Sequence, residues 1–334
     1  MGLFKKDPLQ IITFQSYGSA NMLYVRGRAL EDENIDLSKK SLFSLIKNSF
    51  KRFETDEIAH TKLKLKLPNN IFFFTETDAR GYFKLKETIE NLDQLTNAEG
   101  WLQIEISFED SHPGRKINNE NRFSAEVLIP KKSSSFGVIS DIDDTILHTG
   151  VTSFLKLKLV FNTFFRNAAS RSPLEGASEF YHLLHRGNSG DDANPLFYVS
   201  HSPWNLYRYL EYFLRENTFP KGPILLRNFP KPFSKREGEE KPQKQKEIIN
   251  ILNMYPENQF ILIGDSGESD ADIYIEIAES FPKRIKAIYL RSVKHEKKML
   301  RIRGLFKNFN ATPALLVERS KHAIDHAREN GFVQ

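Results

Sequence analysis

The chain runs to 334 residues, of which 40% are hydrophobic and 27% charged, an ordinary globular composition with enough length for two domains. Its net charge of +5 and pI near 9.0 are only mildly basic, and no nucleic-acid partner is expected. No stretch is long and apolar enough to span a bilayer, and a cysteine count of 0 rules out a disulfide framework or a zinc–thiolate site.

Residues 1–8, MGLFKKDP, lack the apolar core of a signal peptide, and Lys6 stands where a myristoylation signal needs Ser or Thr. With no cysteines, this fits a reducing cytosol, with peripheral membrane contact left open. A helical insertion is expected around residues 38–52. Thr61–Leu67 (TKLKLKL) alternates strictly, as a strand with one wet face does. Ile71–Phe74, Tyr82–Leu85, Leu102–Ile106 and Phe123–Ile129 follow as short pieces separated by Gly, Asn and Asp. This rhythm predicts a small antiparallel all-β sandwich over residues 1–134. Its role is structural or a matter of binding a membrane or partner, and Pro130–Ser135 reads as the linker that ends it.

From residue 136 onward, strands alternate with helical patterns. Strands are expected near 136–140, 196–200, 223–227, 259–264 and 285–290, with helices between them. That order predicts a doubly wound, mostly parallel α/β sheet over residues 135–334. The first strand, Gly137–Ser140, runs straight into Asp141, Asp143, Asp144 and Thr145. Ligands of open α/β sheets bind beyond the carboxyl ends of such strands. Crowded carboxylates at that position call for a compensating cation, and hard cations such as Mg²⁺ take oxygen ligands and serve phosphate chemistry. Asp141 would be the nucleophile, forming an aspartyl-phosphate. Asp143 would protonate the leaving alkoxide and later deprotonate water. Thr145, tying the loop to its own backbone, is grouped with the phosphate-binding residues. The competing reading is an acidic helix cap at Asp144 and Thr145.

Ser153–Phe161 (SFLKLKLVF) has no clean single-face period; a helix packed beneath the site is favoured over one lying in lipid headgroups. Pro195–Ser200 is a second apolar strand, ending in Ser200, whose hydroxyl would bind phosphate or cap a helix before Pro203. Arg227 and Arg291 end later strands, where each would reach a substrate phosphate or pair with a surface acid. The Pro-, Lys- and Glu-rich loop 228–242 is expected to move, either as a lid over the site or as an inert connector. Lys244 and Lys246 head a helical pattern with Ile248, Ile251 and Leu252, and a lysine there would offset phosphate charge. The third strand, Phe260–Ile263, ends in Gly264-Asp265-Ser266-Gly267 and then Asp270. Asp265 would bind the metal with Asp141 and Asp143, while Asp270 would support it from behind; a simple turn is the alternative. The basic run Arg291, Lys294, Lys297, Lys298, Arg301 and Arg303 reads as a solvated helix face, with contact to an anionic membrane or nucleic acid as the lesser alternative.

In this order, Asp-x-Asp-x-Thr, strand-end Ser, Lys and Gly-Asp-x-x-x-x-Asp resemble the haloacid dehalogenase (HAD) superfamily, in its phosphatase and mutase branches. The surrounding residues Tyr198–Tyr207, Leu262–Tyr274, Gly222–Arg227 and Ala287–Arg291, with Asn162-Thr163-Phe164 and Pro173–Gly176, resemble the catalytic domain of the actin-patch-associated phosphatidate phosphatase family over about residues 135–295. The resemblance implies a HAD-like hydrolase, Mg²⁺-dependent, that converts phosphatidate to diacylglycerol. It implies Asp141 as nucleophile, Asp143 as acid and base, Ser200 and Lys244 as phosphate contacts, and Asp265 as metal ligand. Lys244 is chosen over Lys246 because the family's lysine precedes apolar residues at the spacing of Ile248, Ile251 and Leu252. Gln243 stands where the family usually has His, and Leu174-Glu175 replaces its usual Phe-Pro. A soluble or protein phosphoester as substrate, and a non-catalytic scaffold, are the competing functions.

Overall fold

A computed structural model describes residues 7–32, 57–142, 176–227, 241–266, 269–292 and 296–334. The expected helix at 38–52, the segment 153–161, Asp143, Thr145, Lys294 and residues 228–240 of the expected lid lie outside the described residues. The chain divides into two compact units, Met1–Lys131 and Lys132–Gln334. The expected linker ends inside the second unit: Ser135 donates its backbone N–H to Asn194 Oδ1 at 2.9 Å and its hydroxyl to Asp192 Oδ2 at 2.9 Å.

The first unit holds strands β1 (Leu9–Ser19), β2 (Met22–Glu31), β3 (Lys62–Lys66), β4 (Phe72–Glu76), β5 (Tyr82–Thr88), β6 (Trp101–Phe108) and β7 (Phe123–Leu128). They form one seven-stranded sheet in the order β4-β3-β6-β7-β1-β2-β5, in place of the expected pair of packed antiparallel sheets. The sheet is not wholly antiparallel, because β7 pairs parallel with β1. It curls until Thr75 of β4 donates to the Lys84 carbonyl of β5 at 3.4 Å. The alternation in β3 has the predicted effect: Leu63 and Leu65 are fully buried in a core shared with Leu23, Val25, Leu102 and Val127. Strands β1 and β2 were not anticipated. In β1 eight of the 11 residues are buried and none is fully exposed, so the polar alternation that marks a half-wet strand is missing.

The second unit holds β8 (Gly137–Asp141), α1 (Ala177–Arg186), β9 (Leu196–Pro203), α2 (Tyr207–Glu216), β10 (Ile224–Arg227), α3 (Gln243–Met254), β11 (Phe260–Asp265), α4 (Asp270–Ser280), β12 (Ile285–Arg291), α5 (Glu296–Asn308), β13 (Ala314–Val317) and α6 (Ser320–Glu329). Its six strands are parallel in the order β10-β9-β8-β11-β12-β13. The five expected strands are present, and β13 adds a sixth at the edge. Both faces are covered. On β9, Phe197 packs against Tyr255 at the end of α3, while the next residue, Tyr198, stacks on Tyr181 of α1. Successive strand side chains point to opposite faces, so α3 and α1 lie on opposite sides of a doubly wound sheet. From β8 the chain first builds outward to β9 and β10, then returns to place β11 on the other flank. The β8–β11 junction is therefore the switch point of the sheet, where ligands of such folds bind.

Candidate active site

Asp141 ends β8 and Asp265 ends β11, the two strands that flank the switch point. Both carboxylates are fully buried, as is that of Asp270. One oxygen from each of the three lies within 4.8 Å of the others. Lys244, only 1% exposed, is set among them. Its Nζ lies 2.8 Å from Asp141 Oδ1 and 2.5 Å from Asp270 Oδ1.

The helices that deliver these groups follow one rule. In α3, Ile248, Ile251 and Leu252 stand four, seven and eight residues after Lys244 and are completely buried. That spacing is a single helix face, so the packing that buries the isoleucines also carries Lys244 inward, whereas Lys246 lies on a more open side. In α4, Ile273, Tyr274, Ile277 and Ala278 follow Asp270 at three, four, seven and eight residues and are buried with it. Asp270 opens that helix, where the unpaired N–H groups and the helix dipole favour a negative charge. Its Oδ2 accepts the Asp265 backbone N–H at 3.3 Å, which ties the end of β11 to the start of α4. In this way Asp270 sits behind Asp265 and bonds Lys244 as well.

Gly264 makes this approach possible. A Cβ on it would lie 2.4 Å from Asp270 Oδ2 and 2.8 Å from the Tyr274 ring. We expect Gly264→Ala to push Asp270 off the Asp265 N–H and lower stability by about 1–3 kcal/mol, the usual range for overpacking. A melting temperature equal to that of the native chain would contradict this.

Beneath the acids lies a set of hydroxyls that sequence reasoning missed. Ser140 donates to the Asp141 carbonyl at 2.8 Å and meets the Tyr181 hydroxyl at 2.5 Å. With the serine proton used on the carbonyl, Tyr181 is the donor in the second bond. Tyr274 donates to the Ile263 carbonyl at 2.9 Å. Burial raises the Tyr181 phenol far above its ordinary value, against the opposing effect of Ser140. Burial also raises Tyr274, with the charge of Asp270 adding to it. Both phenols stay protonated and hold the strand ends as fixed donors. The sequence signal was a tyrosine on the buried face of α1 and of α4, but periodicity does not identify a partner on another element.

The remaining residues are placed as follows. Ser200 is buried on β9, one residue beyond Val199, which is the register partner of Asp141, and its hydroxyl accepts the Ser202 N–H at 2.9 Å. Strand β9 continues to Pro203 before a short 3-10 turn and α2, so Ser200 lies within the strand and does not cap the helix. Arg291 is the register partner of Asp265. It lines a cleft of about 900 Å³ with Phe180, Gly264, Arg319 and Ile324. Arg227 ends β10, with β9 between it and β8; through Val199 it is Leu225 that stands level with Asp141, so Arg227 lies two strands across and further along the strand. Arg301 and Arg303 of the basic run pair with Asp272 and Glu318 on the surface of the unit.

A doubly wound parallel sheet with a buried carboxylate–lysine cluster at its switch point defines an α/β protein with a charged, ligand-ready centre. The family sequence model described as "Phosphatidate phosphatase APP1, catalytic domain" matches residues 136–292, which span β8 to β12 and every acid of the cluster. The likeness to that family lies in these residues, just under half of the chain. It is 34% identical to Phosphatidate phosphatase APP1 of Saccharomyces cerevisiae over 220 residues, covering 66% of this chain and 34% of the yeast protein. It is 26% identical to the uncharacterized protein C29B5.04c of Schizosaccharomyces pombe over 276 residues, covering 82% of this chain and 44% of that one. The chain thus spans about a third to under half of the length of these relatives. Among solved structures, Bacteroides thetaiotamicron EndoBT-3987 with a Man5GlcNAc product aligns with a TM-score of 0.22 and 8% identity over 84% of this chain and 61% of its own, too weak a likeness to bear on fold or function.

Proposed function

We propose that the second unit is a HAD-like, Mg²⁺-dependent phosphatase that converts phosphatidate to diacylglycerol through an aspartyl-phosphate. The observation that carries this reading is the buried cluster of Asp141, Asp265 and Asp270 around Lys244 at the switch point. When ionised, three carboxylates and one ammonium carry a net charge of −2. An all-oxygen donor set with that charge suits a hard divalent cation. Asp141 and Asp265 would hold it together with Asp143. Bound there, Mg²⁺ would offset the negative charge of the phosphate and the acids.

In the reaction we propose, Asp141 attacks phosphorus and the bond to the leaving alkoxide breaks. Asp143 gives its proton to that alkoxide. Asp143 then takes a proton from water as the water oxygen displaces Asp141, releasing inorganic phosphate and restoring both carboxyl groups. Ser200 and Thr145 would donate to phosphate oxygens, and Lys244, already paired with Asp141, would offset their charge. Arg291, beside Asp265, and Arg227, further out, are the proposed outer phosphate contacts. The name of the yeast relative supports a phospholipid substrate. Such a substrate goes with a cytoplasmic protein acting at a membrane surface; among the described residues no helix is long and apolar enough to cross one.

The test is phosphate release from phosphatidate in mixed micelles, with Mg²⁺ and with a chelator. We expect release only with the metal, rising with the surface concentration of phosphatidate. Metal-dependent release from a soluble aryl phosphate alone would keep the chemistry and discard the lipid. No release from either would leave the scaffold reading.

A further inference from the structure

We infer that the β3–β4 hairpin of the first unit is a docking surface for an anionic lipid bilayer. Among the described residues four large apolar side chains stand exposed, and three of them adjoin here: Ile71 at 39%, Phe72 at 42% and Phe74 at 58%. Folding does not require them there. Strand β4 alternates, with Phe73 turned to the core and Phe72 and Phe74 turned outward, where a half-wet strand ordinarily carries polar residues. Large apolar side chains left exposed together on one hairpin mark an interaction site.

The neighbouring charge is positive. Across the β3–β4 pairing, Lys66 is opposite Phe72 and Lys64 is opposite Phe74. The two ammonium groups lie 4.5 Å (Lys64) and 6.0 Å (Lys66) from the Phe72 ring centre. Lys84 and Lys86 are exposed on β5, which β4 meets through Thr75. Two acids share these strands: Glu105, opposite Lys66 on β6, lies 4.0 Å from Arg122, and Glu76 stands opposite Lys62, so Lys64 faces no acid across either pairing. Aromatic rings flanked by lysines suit a bilayer boundary, where rings enter below the headgroups and ammonium groups meet lipid phosphates. Lysines on both sides of exposed rings on an open sheet face match a plane of anionic headgroups better than a protein groove. The phosphatidate reading supplies the use of such docking, since the substrate lies in that plane, but binding itself does not depend on turnover.

The test is sedimentation of the full chain with phosphatidylcholine vesicles, with and without phosphatidylserine, neither of which is a phosphate monoester. Binding is expected only to vesicles containing phosphatidylserine. The double variant Phe72→Ser, Phe74→Ser should weaken it at least about ten-fold, and Lys64→Gln and Lys66→Gln about five-fold each. All of these side chains reach solvent, so melting and turnover of a soluble aryl phosphate should not change. Equal binding to neutral vesicles, no binding to either, or binding undiminished in the variants would overturn the proposal. In the last case the patch would pass to a protein partner. Vesicle binding that behaves as expected in a chain without phosphatase activity would instead count against the catalytic reading alone.

Discussion

Asp141→Asn is expected to lower phosphate release by about 10⁴-fold or more while the fold persists. An amide cannot serve as the attacking oxyanion, and removal of a nucleophile usually costs that much. The variant should melt no lower than the native chain. Lys244 keeps its 2.5 Å bond to Asp270, and one buried negative charge disappears from a cluster in which acids outnumber the lysine. Buried charges held for chemistry commonly lower stability, and neutralising one relieves the strain. The two readouts are steady-state release and thermal melting. Turnover within ten-fold of native would defeat the nucleophile assignment. A large fall in melting temperature would mean that Asp141 chiefly holds the fold.

Lys244→Met is expected to be the most destabilising single change in the second unit. The methionine has nearly the same length, but the change removes the cation between Asp141 and Asp270, both fully buried. Breaking a buried pair from one side typically costs about 3–5 kcal/mol, because the remaining charge has no compensation. Denaturant unfolding should show that loss, and phosphate release should vanish. Adding Asp270→Asn to Lys244→Met should restore part of the stability, since the uncompensated charge goes with it. Strictly additive losses in that double-mutant cycle would show that the lysine acts through packing, not charge.

Much of the second unit was legible in the chain. Its parallel strands are buried on both faces, so they appear as short, unbroken apolar runs such as Phe260–Ile263, ending at once in acids or hydroxyls. Lys244 was legible by its spacing from Ile248, Ile251 and Leu252, because a helix face is a local property. The edge strand β13 was not, since only Val317 of its four residues is buried and the apolar run is correspondingly short. In the first unit, β3 declared itself by alternation. By contrast β1, covered on both faces, carried no period from which to read it.

By itself, then, the sequence determined where the strands of the second unit end and which acids, hydroxyls and arginines stand at those ends, because those depend on local order and periodicity. The tertiary structure alone decided who meets whom. The switch point between β8 and β11 brings Asp141 and Asp265 together although 124 positions separate them in the chain. Lys244 bonds Asp270 across 26 positions, and Tyr181 bonds Ser140 across 41. Contacts between elements depend on sheet order and helix packing, which no local pattern encodes. The same holds for the outward rings of β4: in sequence Phe72-Phe73-Phe74 is an unbroken apolar run, and only the fold determines which of the three reaches solvent.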